Sequence, residues 1–472
     1  MTVLKSLSPR SRAVGVLLCL CPVAIAWASL ILLAHWPVAW ASYVTQALFG
    51  WMILATYVAI WGSVIVCARS RKLALFQGIM TTITVAGLVG ILELGAVLRL
   101  VDWALVMERI AGDGTNYMWS YRLDPTLSFR RLPNQYWSGR PQSDIERGSL
   151  MPASLREPIA FTYDSRGYRN TTELDKADVV LIGDSYVEGW YVSDDQTVAT
   201  RLESYIRRPV ANLGVAGYGS KQELIVLHGD AADLKPRVVV WFFFEGNDLY
   251  DDQEFENFLL ASSPQDSVAH EDGLKRYDGW SKRSFLLNLL RRFRRWSDPI
   301  LPNWAPYSAR LSVPGLEEQI VYFADYAAVP WGDWISTRWD STRETLYRGV
   351  EYCREHDIDL LIAFVPIKFR VYQPFVKFDV ENPARSWTTW PIAELFSDFC
   401  KSVSVPCLDL TPMFQDAVGK GGMPYAAVDT HWSSEGHDLV ARRLAAEIRA
   451  RGWLGPERVG TIGSKPAAHP KT

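Results

Sequence analysis

A dominant charge of one sign is missing from these 472 residues: 49 basic and 52 acidic side chains leave a formal net charge of −3. That balance provides no field to gather nucleic acid or another polyanion, which removes nucleic acid from the expected partners. Cysteine is also scarce, six in all, and shows no zinc-like spacing. Cys19, Cys21 and Cys67 lie in apolar stretches, leaving Cys353, Cys400 and Cys407 in the polar part of the chain. Cys400 and Cys407 read as small buried hydrophobes, with a bridge as the alternative if their domain faces an oxidising compartment. No internal repeat is present.

Tryptophan, by contrast, is plentiful, with twenty copies. Core filling accounts for most of them, and interfacial anchoring and stacking on sugar rings are the functional readings. Three almost uncharged stretches, 14–33, 47–68 and 78–98, are each about long enough to cross a hydrocarbon layer of roughly 30 Å. The expectation is a three-span anchor over residues 1–100. Basic residues at the N-terminus (Lys5, Arg10, Arg12) and between the second and third stretches (Arg69, Arg71, Lys72) place both segments in the cytoplasm. Everything after Arg99 is then outside, in a bacterial-type inner membrane with a periplasmic domain. Glu93 falls within the third stretch, where a carboxylate at the bilayer centre would cost roughly 2.5–3.5 kcal/mol. It requires a polar neighbour or shallow depth, and its place near the outer end favours the latter.

Residues 101–178 are rich in Arg and Pro and lack a sustained period, and are expected to be a connector packed on the main domain. From 179 to 452, short apolar runs at 179–184, 211–215, 238–244, 360–365 and 405–410 alternate with amphipathic stretches. Such runs read as buried parallel strands of a doubly wound α/β sheet. The interval 250–340 breaks the alternation and reads as a Trp-rich insertion beside the site. Within it, 284–296 is an amphipathic helix that either lies on a membrane or packs on a core. Residues 453–472 read as a disordered tail.

Four local patterns carry chemistry. Gly-Asp-Ser at 183–185 stands where a strand's carboxyl end opens into the ligand crevice, so Ser185 can face a substrate. The second, 212–220, has three glycines that allow close backbone approach and offers the Gly217 N–H as a donor. Its G-x-x-G-x-G spacing is wrong for a dinucleotide loop. The third, Glu-Gly-Asn-Asp at 245–248, places the Asn247 amide after a very apolar strand. The fourth sets Asp429 and His431 one residue apart ahead of a C-terminal helix, where an imidazole can take a proton and a carboxylate can hold its tautomer.

In this order the patterns resemble the SGNH (GDSL-like) hydrolase superfamily over about 179–452. The resemblance implies a flavodoxin-like three-layer fold, with Ser185 as nucleophile, His431 as base and Asp429 as its orienter. It also implies an oxyanion hole from the N–H groups of Ser185 and Gly217 and the Asn247 amide. Two positions depart from the family pattern: Glu245 replaces the first Gly of GxND, and Asp and His are separated by one residue instead of two. The resulting Asp-x-His-Trp is similar to the signature of alginate O-acetyltransferase relatives. The expected activity is a membrane-anchored serine esterase acting on O-acyl, chiefly O-acetyl, groups of envelope glycans or lipids, without metal or organic cofactor. The alternatives are an O-acyltransferase acting on a polysaccharide and a catalytically silent glycan-binding or assembly protein. Nothing in the sequence sets an oligomeric state.

Overall fold

Five apolar runs become the parallel strands β1 (Val179–Ile182), β2 (Val210–Asn212), β3 (Val238–Phe244), β4 (Asp359–Val365) and β5 (Cys407–Asp409). The computed structural model describes residues 17, 21–26, 55–64, 70–101, 103, 106, 107, 121–141, 143–145, 157–260, 283–290, 307–315 and 317–455. The strands pair in the order β2-β1-β3-β4-β5, the doubly wound order of the flavodoxin type. Every residue of β3 is buried, because the sheet is covered on both faces. Side-chain alternation divides the interior in two. Val238, Val240, Phe242 and Phe244 face a core shared with helices Val198–Ile206 and Ser434–Arg451. Val239, Trp241 and Phe243 face a second core shared with helices Ser220–Val226, Asp333–Glu355 and Ile392–Val403.

The chain divides into two compact units, residues 1–111, 148–152 and 278–304 in one and the remainder in the other. In the first, Arg71–Val97 forms a helix, and Lys72–Val97 is long and apolar enough to cross a membrane. Ala55–Val64 is a shorter apolar helix. Of the three expected spans, one is therefore seen at full length among the described residues. The first is described only at 17 and 21–26, and much of the second lies outside the described residues. Glu93 finds a polar neighbour: Oε1 accepts from the Ser284 hydroxyl at 2.9 Å and from the Leu286 N–H at 2.6 Å. The turn of helix at 285–290 thus packs against the Arg71–Val97 helix, with Phe285 set edge-on to Trp103 at 5.1 Å. The middle of the expected insertion therefore groups with the apolar helix. Residues 291–296 of the expected amphipathic helix lie outside the described residues, as do Trp280, Trp296 and Trp304 and the tail beyond 455.

Two further expectations change. Cys400 and Cys407 are bridged, with Cα atoms 6.0 Å apart, rather than being separate buried thiols. The helix Ile392–Val403 and β5 bring them together at a sequence separation of seven. The connector also carries more order than its composition indicates. Tyr121–Asp124 pairs with Ser128–Arg131, and Tyr136–Gly139 pairs with Ile159–Thr162, both antiparallel.

Candidate active site

The chain leaves β1 through Gly183 and turns into a single helical turn, Ser185–Glu188. Asp184 caps that turn by accepting the Tyr186 N–H at 2.9 Å. Gly189 ends it in the left-handed region at φ +86, where a Cβ would be strained. Ser185 is thus held at the carboxyl edge of the sheet by a turn with both ends fixed.

The imidazole that meets it comes from 246 residues further along the chain. His431 Nε2 lies 2.8 Å from Ser185 Oγ, and Nδ1 lies 2.5 Å from Asp429 Oδ1. The one-residue spacing works because Asp429 Oδ1 folds back on its own loop, accepting the His431 N–H at 2.9 Å as well as meeting Nδ1. The ring packs beside Tyr186, 4.9 Å between centroids, and Trp190, at 6.1 Å. Trp432, the last residue of the Asp-x-His-Trp run, is fully buried against Tyr186 and Phe242 and serves packing. A hydroxyl bonded to an imidazole that a carboxylate orients can give up its proton and attack an acyl carbon.

Asp144, on the connector, completes this group, and nothing local in the sequence marks it. Its N–H donates to Asp429 Oδ2 at 3.0 Å, its Oδ1 accepts the Thr430 N–H at 2.9 Å, and its Oδ2 accepts from the Thr430 hydroxyl. Oδ2 is also 3.8 Å from His431 Nδ1. The residue before it, Ser143, donates its hydroxyl to the Val428 carbonyl.

Gly217 and Asn247 stand on the loops that follow β2 and β3, but no hydrogen bond links either to Ser185 among the described residues. Gly217 has φ +83, and the Asn247 amide donates to Asp251 Oδ2 at 2.7 Å. The glycine loop is pinned by a residue that sequence reasoning passed over. Buried Glu188 accepts the Ala216 N–H at 2.6 Å and is itself held by Arg131, with Nε 2.9 Å from Oε1, and by the Tyr163 hydroxyl. Gly214 allows the approach, since a Cβ there would sit 2.3 Å from the Glu188 nitrogen. Glu245, the departure from GxND, turns its carboxylate to Arg370 at 2.7 Å and to the Ile367 N–H at 2.8 Å, so its charge is paired.

Burial opposes charging His431, but Asp429, then Asp144 and Asp184, outweigh it and push the imidazole up to about 9. Although Asp144 is solvent-exposed as a residue, desolvation of its carboxyl end against the site and then the Asp429 charge push it up. Asp429 is lowered in spite of its burial, because His431 stabilises its charge. The base form of the imidazole therefore gains population as pH rises, and kcat/KM for an activated ester should climb along an alkaline limb. Asp144→Asn removes a negative charge that favours the imidazolium, so the limb should move to lower pH. A pH–rate series on both proteins checks this, and an unmoved limb would count against Asp144 as a neighbour of the working ring. Among the described residues, Asp144, Asp429 and His431 are also a group able to hold a metal ion, with ligand atoms within 4.8 Å of one another. A metal there would have to displace the Nδ1 proton that Asp429 now holds.

Strand order, the Gly-Asp-Ser turn and the Asp-x-His loop define an α/β fold similar to that of the SGNH superfamily. A family model described as "SGNH hydrolase-like domain, acetyltransferase AlgX" matches residues 339–469, which include Asp429 and His431 but not Ser185. The chain is 29% identical over 129 residues to a Pseudomonas aeruginosa protein described as "Probable alginate O-acetylase AlgJ". That match covers 26% of this chain and 30% of the relative's length. Similar solved structures include a GDSL-like lipase from Bacteroides thetaiotaomicron, 14% identical at a TM-score of 0.29, covering 58% of this chain and 88% of the lipase. A catalytic mutant of an acetylxylan esterase from Geobacillus stearothermophilus is 13% identical at 0.30, covering 59% and 96%.

Proposed function

We propose that this chain is a membrane-anchored O-acyltransferase that passes an acyl group, chiefly acetyl, through Ser185 to a hydroxyl of an envelope polysaccharide. The observation that carries the reading is the line of contacts from Asp429 through His431 to Ser185, at 2.5 and 2.8 Å. His431 Nε2 takes the proton of Oγ as Oγ bonds to the donor's acyl carbon. The tetrahedral intermediate then collapses, the bond to the donor's oxygen breaks, and that oxygen leaves with the proton. In the second half an acceptor hydroxyl gives its proton to the same nitrogen and bonds to the acyl carbon, and the bond from that carbon to Oγ breaks as Oγ takes the proton back from Nε2. Gly217, Asn247 and the Ser185 N–H are assigned to the developing oxyanion. A glycan-binding protein without chemistry would have no use for a hydroxyl and an imidazole in contact.

Transfer to a sugar is preferred over hydrolysis because both sequence comparisons lead to acetylation proteins. The apolar helix Lys72–Val97 supplies the anchor, and the basic residues before it assign its first end to the cytoplasm. The Cys400–Cys407 bridge supports an oxidising compartment for the sheet domain. The test is a partition ratio: purified protein is given an activated acetyl ester with and without deacetylated polysaccharide, and free acetate and acetylated glycan are counted by mass spectrometry. Acetyl transfer that depends on Ser185 supports the reading. Release of acetate alone, unchanged by polysaccharide, converts it to an esterase.

A further inference from the structure

The loop carrying Asp429 and His431 has no regular structure between the isolated bridge residues Tyr425 and Trp432, so its carbonyls need donor partners other than those of a helix or a sheet ladder. Each has one. Val428 O takes the Ser143 hydroxyl, Thr430 O takes the Tyr186 hydroxyl at 2.8 Å, and His431 O takes the Ala426 N–H at 2.9 Å. The remaining three converge on a single nitrogen. Lys368 Nζ donates to Ala426 O at 2.6 Å, Ala427 O at 3.1 Å and Asp429 O at 3.0 Å.

We propose that Lys368 is a positioning residue that works as an internal cation, folding the 426–431 loop around its ammonium so that Asp429 and His431 meet Ser185. Three carbonyl oxygens around one nitrogen match the three N–H bonds of an ammonium, whereas a neutral amine would leave one carbonyl facing a lone pair. The side chain is almost fully buried, so no water can substitute freely. Lys368 opens the helix Lys368–Tyr372, which follows β4 directly, so the cation is mounted on the sheet. The same segment braces the start of the loop: the Pro366 carbonyl accepts the Tyr425 hydroxyl, and the Tyr372 hydroxyl accepts the Tyr425 N–H at 3.4 Å. Burial pulls the ammonium down to about 7, while Asp429 and Asp144 oppose that loss of charge. Lys368 touches no reacting atom. Its effect reaches Ser185 through the orientation of the imidazole.

The catalytic half of the test rests on the function proposed above, and the structural half does not. In the full-length, detergent-solubilised protein, Lys368→Ala should lower kcat for an activated acetyl ester by on the order of 100-fold, the scale of a misplaced catalytic group, with a smaller change in KM. Propylammonium replaces the deleted atoms and should restore a large part of kcat, whereas propanol should not. Amide hydrogen exchange over 425–432 should quicken in Lys368→Ala and slow again with propylammonium. Wild-type protein that turns over no ester would refute the proposed function but leave the exchange experiment able to read the clamp. A folded Lys368→Ala with wild-type kcat and wild-type exchange overturns the inference. So does a variant whose losses are not recovered by the amine, since that is the behaviour of a lysine needed only for packing.

Discussion

Replacing Ser185 by Ala, or His431 by Ala, should lower turnover of an activated acetyl ester on the order of 10³-fold or more, and the double variant should be little worse than either. The near-identity of single and double losses is the informative part. On the proposed route the hydroxyl attacks only while His431 Nε2, 2.8 Å away, can accept its proton, so removing either member removes the same step. Asp429→Asn should be comparably severe, because an amide can present its N–H to Nδ1 and favour the wrong tautomer. Steady-state rates on protein with an unchanged thermal unfolding profile check this. Ser185→Ala with near-normal turnover would remove Ser185 from the chemistry and with it the acyl-enzyme route.

The largest expected loss of stability lies at Arg131. Its side chain and that of Glu188 are each 1% exposed, and the guanidinium meets the carboxylate with Nε and a terminal nitrogen at 2.9 and 3.0 Å. Burial alone would pull the arginine down, yet Glu188 holds it above its ordinary value. Arg131→Met strands a buried carboxylate and should cost about 3–5 kcal/mol, read as a lowered urea midpoint. Adding Glu188→Gln should recover much of that cost, since the amide oxygen can still accept the Ala216 N–H while the charge is gone. A double variant no more stable than Arg131→Met would show that the loss comes from packing and not from the stranded charge.

These two sites also show what a sequence can reveal. The five strands were legible because a sheet covered on both faces demands uninterrupted apolar runs, and Ser185, Asp429 and His431 were legible because each sits in a short pattern with its own turn chemistry. Arg131, Asp144 and Lys368 were not. Each is a lone charged residue in a segment without periodicity or beyond any motif, and each acquires meaning from partners distant in the chain, as when the Asp144 N–H reaches Asp429 across 285 residues. The same holds for Glu188, which follows the Gly-Asp-Ser turn but depends on Arg131. Cys400 and Cys407 were ambiguous because their spacing of seven suits a bridge only after a helix end and a strand bring their Cα atoms to 6.0 Å.

The stretch 121–145 holds Arg131, Ser143 and Asp144, so the boundaries of any excised fragment decide more than its solubility. A gene cut to begin at Val179, where the alternating strands and helices start, would encode the whole sheet and all four motif segments. It would also discard the guanidinium beneath the glycine loop and the hydroxyl and carboxylate that support the Asp-x-His loop. Such a fragment would keep the Lys368 contacts to the 426–431 loop but lose the ties that Ser143 and Asp144 make to that loop and that Arg131 makes to Glu188. A piece of the chain freed of its apolar helix has to begin before Tyr121 to retain these ties.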